Sequence, residues 1–261
     1  MLNIIRADLY RIFRGKGLYI TGIIFVAVMV LQMFTDGTIG VNSDLVAEAA
    51  GELTRTGSNI PFIRMADNDV LLYYLLPLIV FIVATDFSAG TVKNVLASGM
   101  SPRKFYLAKL LLSGIFCVVL ILINTIVPMI VATVSQGFGG EFDKAYLARV
   151  MKPFLSQMLM FLAVTCFGVF LAFATKRTGA VIGGYIAWLF VPLLVIVMLM
   201  EGFPERFAEL YHYDVTLNIK ALAYYDMMSK ADIIRAYALG GFYIVASTIG
   251  GMVILHKSEI K

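Results

Sequence analysis

Six stretches of this chain are apolar for long enough to cross a bilayer, and this limits its fold more than anything else in it. A helix needs ~20 apolar residues to span the hydrocarbon, and inside lipid every backbone polar group must be satisfied internally. The stretches are residues 18–34, 70–85, 105–134, 153–175, 180–200 and 233–255. Hydrophobic residues make up 60% of the chain, where a soluble domain has about 45–50%. The excess sits in these blocks and is not spread evenly, so it reports spans. With 261 residues, the chain has no room for a large soluble domain as well. We therefore expect one domain over residues 1–261, an all-α integral membrane protein with six transmembrane helices.

The segment before the first span has its own pattern. Ile5, Leu9, Ile12 and Phe13 recur at helical spacing, and Arg6, Arg11 and Arg14 fall off that face. Two readings fit: an amphipathic helix lying in the membrane interface over residues 1–17, or a plain basic flank of the first span. No small-residue cleavage site follows the first apolar run, so a signal peptide is not expected. Pro77, Pro128 and Pro192 are expected to break spans two, three and five, and Pro153 to open span four. Cys117 and Cys166 lie inside apolar runs and read as small buried hydrophobes.

Charge orients the spans. The N-terminus, the loop after residue 85, the turn at 176–179 and the C-terminal tail hold eleven basic and three acidic residues, a net of +8. The opposite side holds eight basic and fourteen acidic residues, a net of −6. Lys109 and Arg235, at span ends, bring the total to the formal +4. Basic loops stay inside, so the chain is expected in the cell membrane, multi-pass, with both termini cytoplasmic. The basic balance is then a topology signal, and no nucleic-acid partner is expected.

Of the two inward loops, only the first is long enough for a helix. Val92, Val95 and Leu96 fall at i, i+3 and i+4, one face of a short helix. Gly99 is placed to end it, and Ser101 with Pro102 reads as an N-cap followed by proline at the first helical position. Arg103, Lys104 and Lys109 would then snorkel to the headgroups from the start of span three. The residues Asp86, Gly90, Thr91, Lys93, Asn94, Leu96, Ser101, Arg103 and Lys109 resemble the first cytoplasmic loop of ABC-2-type permeases, the membrane subunits of ATP-driven exporters. Asp86 stands where that family more often has Glu.

The resemblance implies an N-terminal interfacial helix and a short cytoplasmic coupling helix over residues 86–101. That helix would dock on the ATPase through Asp86, Gly90, Thr91, Val92, Lys93, Val95, Leu96 and Arg103. The implied partners are ATP-binding cassette subunits, a second permease copy or sister permease, and membrane lipid. It also implies export of an amphipathic peptide, lipid-like molecule or drug, as in small bacterial permeases for antimicrobial-peptide immunity.

The sequence lacks the groups that other energy sources need. No Gly-x-x-x-x-Gly-Lys-Ser/Thr segment occurs, so the chain is not expected to be an enzyme, and ATP and Mg would sit on the partner subunit. No His, Cys or carboxylate cluster has metal-ligand spacing. All Asp, Glu, Lys and Arg are expected in loops or near span ends, which disfavours a secondary transporter. The mid-span polar groups are neutral. Asn124 and Gln32 are candidates to line a translocation path, although an amide there more often bonds helix to helix. The pairs Gly179/Gly183 and Gly168/Ala172 mark close packing, within one subunit or between two. The aromatics of residues 201–232 read as an interfacial belt or as a lid over the path. A membrane receptor or assembly subunit that transports nothing is the rival function.

Overall fold

The computed structural model describes residues 2–34, 55–203 and 207–258. All regular structure in them is helical. α1 (Leu2–Arg14) and α2 (Lys16–Phe34) meet at Gly15 with a bend of 65°. α3 (Ile60–Ala66) is a short helix before the second span. That span begins as α4 (Val70–Ile79), passes through a π-helical turn (Val80–Ala84), and ends in the helical turn Thr85–Ser88. α5 (Thr91–Ala97) follows, then the long helices α6 (Pro102–Gln136), α7 (Lys144–Thr175) and α8 (Thr178–Gly202). α9 (Val215–Leu222) precedes α10 (Lys230–Ser258).

Among the described residues, five helical segments are long and apolar enough to cross a membrane: Asn68–Ser88, Pro102–Gln136, Lys144–Thr175, Thr178–Gly202 and Lys230–His256. A sixth span results if the bent pair Ile4–Arg14 and Lys16–Leu31 counts as one. The all-helical membrane architecture is as expected. The sharp bend also separates an amphipathic α1 from the uniformly apolar α2, the geometry of an interfacial helix leading into a span.

α7 is the hub, packed against α10, α6, α8, α9 and α4. Its buried face carries Phe161, Val164, Val169, Ala172 and Phe173. Phe173 meets Phe87, Phe105 and Tyr106 edge-on, with ring centroids 5.2, 6.0 and 4.8 Å away. Aromatic pairs at this spacing stabilise by about 0.5–1.5 kcal/mol beyond the area they bury.

The prolines behave differently from expectation. Pro128 and Pro192 lie inside continuous helices and break neither. Pro153 does not open its helix. α7 starts nine residues earlier, where the Asp143 carboxylate caps it by accepting from the Tyr146 N–H at 2.7 Å. That cap supplies the start signal sought at the proline, and the expected loop 135–152 shrinks to 137–143. Only at Pro77 does the helix change character, in the π turn that follows within one helical turn. Proline lacks the N–H that continues the ladder, and a π turn re-registers the bonds that remain.

Two segments between spans are folded in part into the bundle. α3 buries Ile60, Met65 and the Arg64 side chain, whose Nη2 donates to the Met29 carbonyl of α2 at 3.0 Å. α9 buries Val215, Ile219 and Leu222, one helical face, against the hub.

Candidate functional site

Two polar centres lie inside the bundle, one towards each end. The first is built from α1, the end of the second span and the start of α6. Asp8 falls on the apolar face of α1 with Ile5, Leu9 and Ile12, so the helix that buries that face buries the carboxylate too. Lys109 shares a face of α6 with Phe105 and Leu112, all buried. Its ammonium reaches the Asp8 carboxylate at 2.6 Å and pairs with Asp86. Arg11 pairs with Asp86 as well, and lies 3.3 Å from Asp8. The four charges form a neutral closed ring in which each carboxylate meets two cations. Thr91, at the start of α5, donates to the Asp86 backbone carbonyl at 3.0 Å and lies 3.3 Å from its carboxylate. Lys109 is 1% exposed, Asp86 3% and Asp8 7%.

This corrects two expectations. Lys109 does not snorkel to the headgroups; two buried carboxylates hold it inside. Asp86 is likewise turned inward, where it offers no surface to another protein. Removing one member of a buried ion pair typically costs 3–5 kcal/mol, because the other charge is left without a partner. The ring therefore fixes α1 and the α5 segment to the first turns of α6.

α5 stands at this end between two glycines with positive φ, Gly90 (+69°) and Gly99 (+86°), a conformation that glycine adopts freely. Val92 is buried and Val95 half-buried against the core. Their face, expected to dock a partner, is turned towards the bundle, since packing it on the core removes apolar surface from water. Lys93, Asn94 and Ala97 form the exposed face of α5, and Gly90 and Arg103 are also exposed. The Leu96 side chain lies outside the described residues. Ser101 occupies the N-cap position of α6 in extended conformation, but its side chain makes no capping bond.

The second centre is a chain of amides. Asn124 of α6 donates through Nδ2 to Asn68 Oδ1 at 2.7 Å, and Asn68 Nδ2 donates to Gln157 Oε1 of α7, also at 2.7 Å. Gln157 Nε2 closes the chain on the carbonyls of Met65 at 2.8 Å and Ile219 at 2.7 Å. Asn124 thus bonds the second span to α6, and Gln157 fastens both α3 and α9 to the hub. The cavity beside Asn124 measures about 10 Å³, no more than one water. Gln32 lies in α2, and its side chain is outside the described residues.

Next to this centre Asp69 pairs with Lys220 of α9 at 3.0 Å. Asp67, between α3 and the second span, has its carboxyl pushed up to about 6. Burial is the main cause and the Asp69 carboxylate adds to it, with Arg64 and Lys220 opposing. Among the described residues no group of three or more His, Cys, Asp or Glu could hold a metal ion.

The small-residue pairs part company. A Cβ on Gly168 would lie 2.4 Å from Ile79 and 3.3 Å from Tyr185, so that glycine serves packing within the chain. A Cβ on Gly179 or Gly183 would meet nothing within 4 Å.

Sequence reasoning found Asp86, Thr91 and Lys109 as motif residues but not that they converge. It missed Asp8, Arg11 and Asn68. The signal for Asp8 was there: a carboxylate at i+3 from Ile5, on the apolar side of an amphipathic helix. Asn68 gave none, since it precedes the second apolar run like any loop residue.

No curated protein matches the chain. A family model described as "Protein of unknown function (DUF2705)" matches residues 24–260, which include the later part of α2, every span after it, and both polar centres except Asp8 and Arg11. The chain belongs to this DUF2705 family, as a multi-span helical membrane protein.

Proposed function

We propose that the chain is the membrane subunit of an ATP-driven exporter of the ABC-2 type, coupled through α5 to ATPase subunits that carry the ATP and Mg. The observation that carries this reading is the setting of α5. It is a free-standing surface helix between two spans, its apolar face seated on the bundle, its polar face outward, and its root tied to the ion ring. A push on Asn94 or Ala97 passes through Thr91 and Asp86 to Lys109, and so to α6 and α1. A motor needs such a rigid lever between its own surface and the spans. Because the sequence has no phosphate-cradling loop, this reading needs the motor on another chain. The resemblance of the α5 loop to ABC-2-type permeases would make the substrate an amphipathic peptide, a lipid-like molecule or a drug. A second copy or sister permease would complete the path, and the outward stripe of Gly179 and Gly183 on α8 suits close approach of another helix.

The packed amide chain favours a second reading. With room for one water at most beside Asn124, a receptor or assembly subunit that transports nothing also fits this conformation.

Co-purification separates the two. Tagged chain extracted from its native membranes in mild detergent should bring down a subunit containing a Walker motif, identified by peptide mass spectrometry. Ala97→Glu, on the exposed face of α5, should lower its recovery at least tenfold while leaving the yield of the chain unchanged. Wild-type preparations without any such subunit would remove the exporter reading.

A further inference from the structure

The basic end of the bundle holds a cavity of about 800 Å³ under α5, unrelated to the amide chain or the ion ring. Phe87, Val92, Met100 and Leu255 give it apolar wall, and Lys93 and Lys176 line it too. We propose that this cavity binds an anionic phospholipid, its phosphodiester held by Lys93 and Lys176 and its glycerol and upper acyl chain against the apolar wall.

Four observations converge on that occupant. Depth comes first: the cavity lies where α6 begins, α7 ends and α10 completes its last turns, the level at which spans meet headgroups. The second is charge. Both lysines are exposed, and no ion pair among the described residues involves either. Among the described residues the acids of this end, Asp8 and Asp86, are engaged inside the ring, so no described surface acid competes for the lysines. Third, one set of walls offers apolar surface and ammonium groups together, which suits an amphiphile better than a small free anion. Finally, Lys176 is the only described non-glycine residue with positive φ, +55°. It ends α7 in a left-handed conformation that glycine or asparagine adopts more readily. That cap places the lysine at the end of α7, where it is one of the groups lining the cavity. An acidic segment of a partner protein would suit the lysines but not the apolar wall at membrane depth.

The test uses the full chain, purified in uncharged detergent and titrated with phosphatidylglycerol, phosphatidylcholine and glycerophosphate under native mass spectrometry. Wild type should bind phosphatidylglycerol at least tenfold more tightly than phosphatidylcholine, as two near-surface cations allow. Glycerophosphate should not displace it at equal concentration. The double variant Lys93→Gln with Lys176→Asn should lose the preference; asparagine keeps the left-handed turn while removing the charge. Lys16→Gln with Lys104→Gln removes two exposed charges from the same end outside the cavity, and should stay within about twofold of wild type. Met100→Gln makes part of the apolar wall polar at nearly constant volume, with both lysines in place, and should also weaken binding.

Equal losses in the two double variants would show diffuse attraction to a basic surface and overturn the proposal. Displacement by glycerophosphate would make this a small-anion site, and tighter binding of an acidic peptide than of phosphatidylglycerol would make it a protein site; either result also overturns it. Because the measurement needs no ATPase, its outcome is independent of the exporter reading.

Discussion

Replacing Lys109 by methionine leaves the carboxylates of Asp8 and Asp86 with Arg11 as their one remaining cation. Methionine fills the lysine's space, so the change tests charge more than packing. We expect Lys109→Met to lower stability by about 3–5 kcal/mol, the usual cost of breaking a buried pair. It should appear as a large drop in melting temperature in detergent. Lys93→Gln, on the exposed face of α5, should lie within about 1 kcal/mol of wild type. A Lys109→Met protein that melts with wild type would mean that the ring does not hold this end together. At this scale the sequence was legible where a charged side chain sat on an apolar face, as Asp8 and Lys109 do. It was not legible where partners come from distant parts of the chain. Nothing near Asn68 announces Gln157, 89 residues away.

Helices were read well where apolar residues were dense and poorly where they were sparse. Spans two, three, five and six appeared in the sequence because a bilayer-length run needs no partner to be recognised. α3 has seven residues, too few for a period to show. α9 has its apolar positions at i, i+4 and i+7, Val215, Ile219 and Leu222, but the aromatics around it drew the eye to the interface instead. Glycines divide the same way. Gly251 of α10 lies against Tyr106 of α6, where a Cβ would come within 2.2 Å of the ring. Tyr106 cannot swing away freely, because it is fully buried and donates its hydroxyl to the Ser247 carbonyl at 2.9 Å. Gly251→Ala should therefore force α10 away from α6 and cost about 1–3 kcal/mol, as overpacking does. Gly183→Ala meets open space and should leave the stability of the single chain unchanged or slightly raised. Thermal melts of the two variants side by side check the contrast.

The whole molecule has a basic end, with Arg6, Arg14, Lys16, Lys93, Arg103, Lys104, Lys176 and Arg177 exposed, and an end richer in acids. The ring is neutral, so it leaves that asymmetry unchanged while taking Asp8, Asp86 and Lys109 of the basic end out of contact with water. The basic end should face the cytoplasm. A cysteine at Lys104 should then resist a membrane-impermeant thiol reagent in intact cells, while one at Glu141 should react. The native Cys117 and Cys166 are buried and should give little background. Labelling at Lys104 with protection at Glu141 would reverse the orientation.

The ring also sets a schedule for making the protein. Asp8 and Lys109 are 101 residues apart. At about 5–20 residues per second, Asp8 is synthesised roughly 5–20 s before its main counter-ion. Asp86 waits a few seconds in the same way. Until α6 is synthesised, Arg11 is the ring cation available to both carboxylates, so α1 has no neutral place to dock. The N-terminal helix can settle only after the third span has entered the bilayer. A chain cut short before that point keeps α1 undocked, with the Asp8 carboxylate still in water.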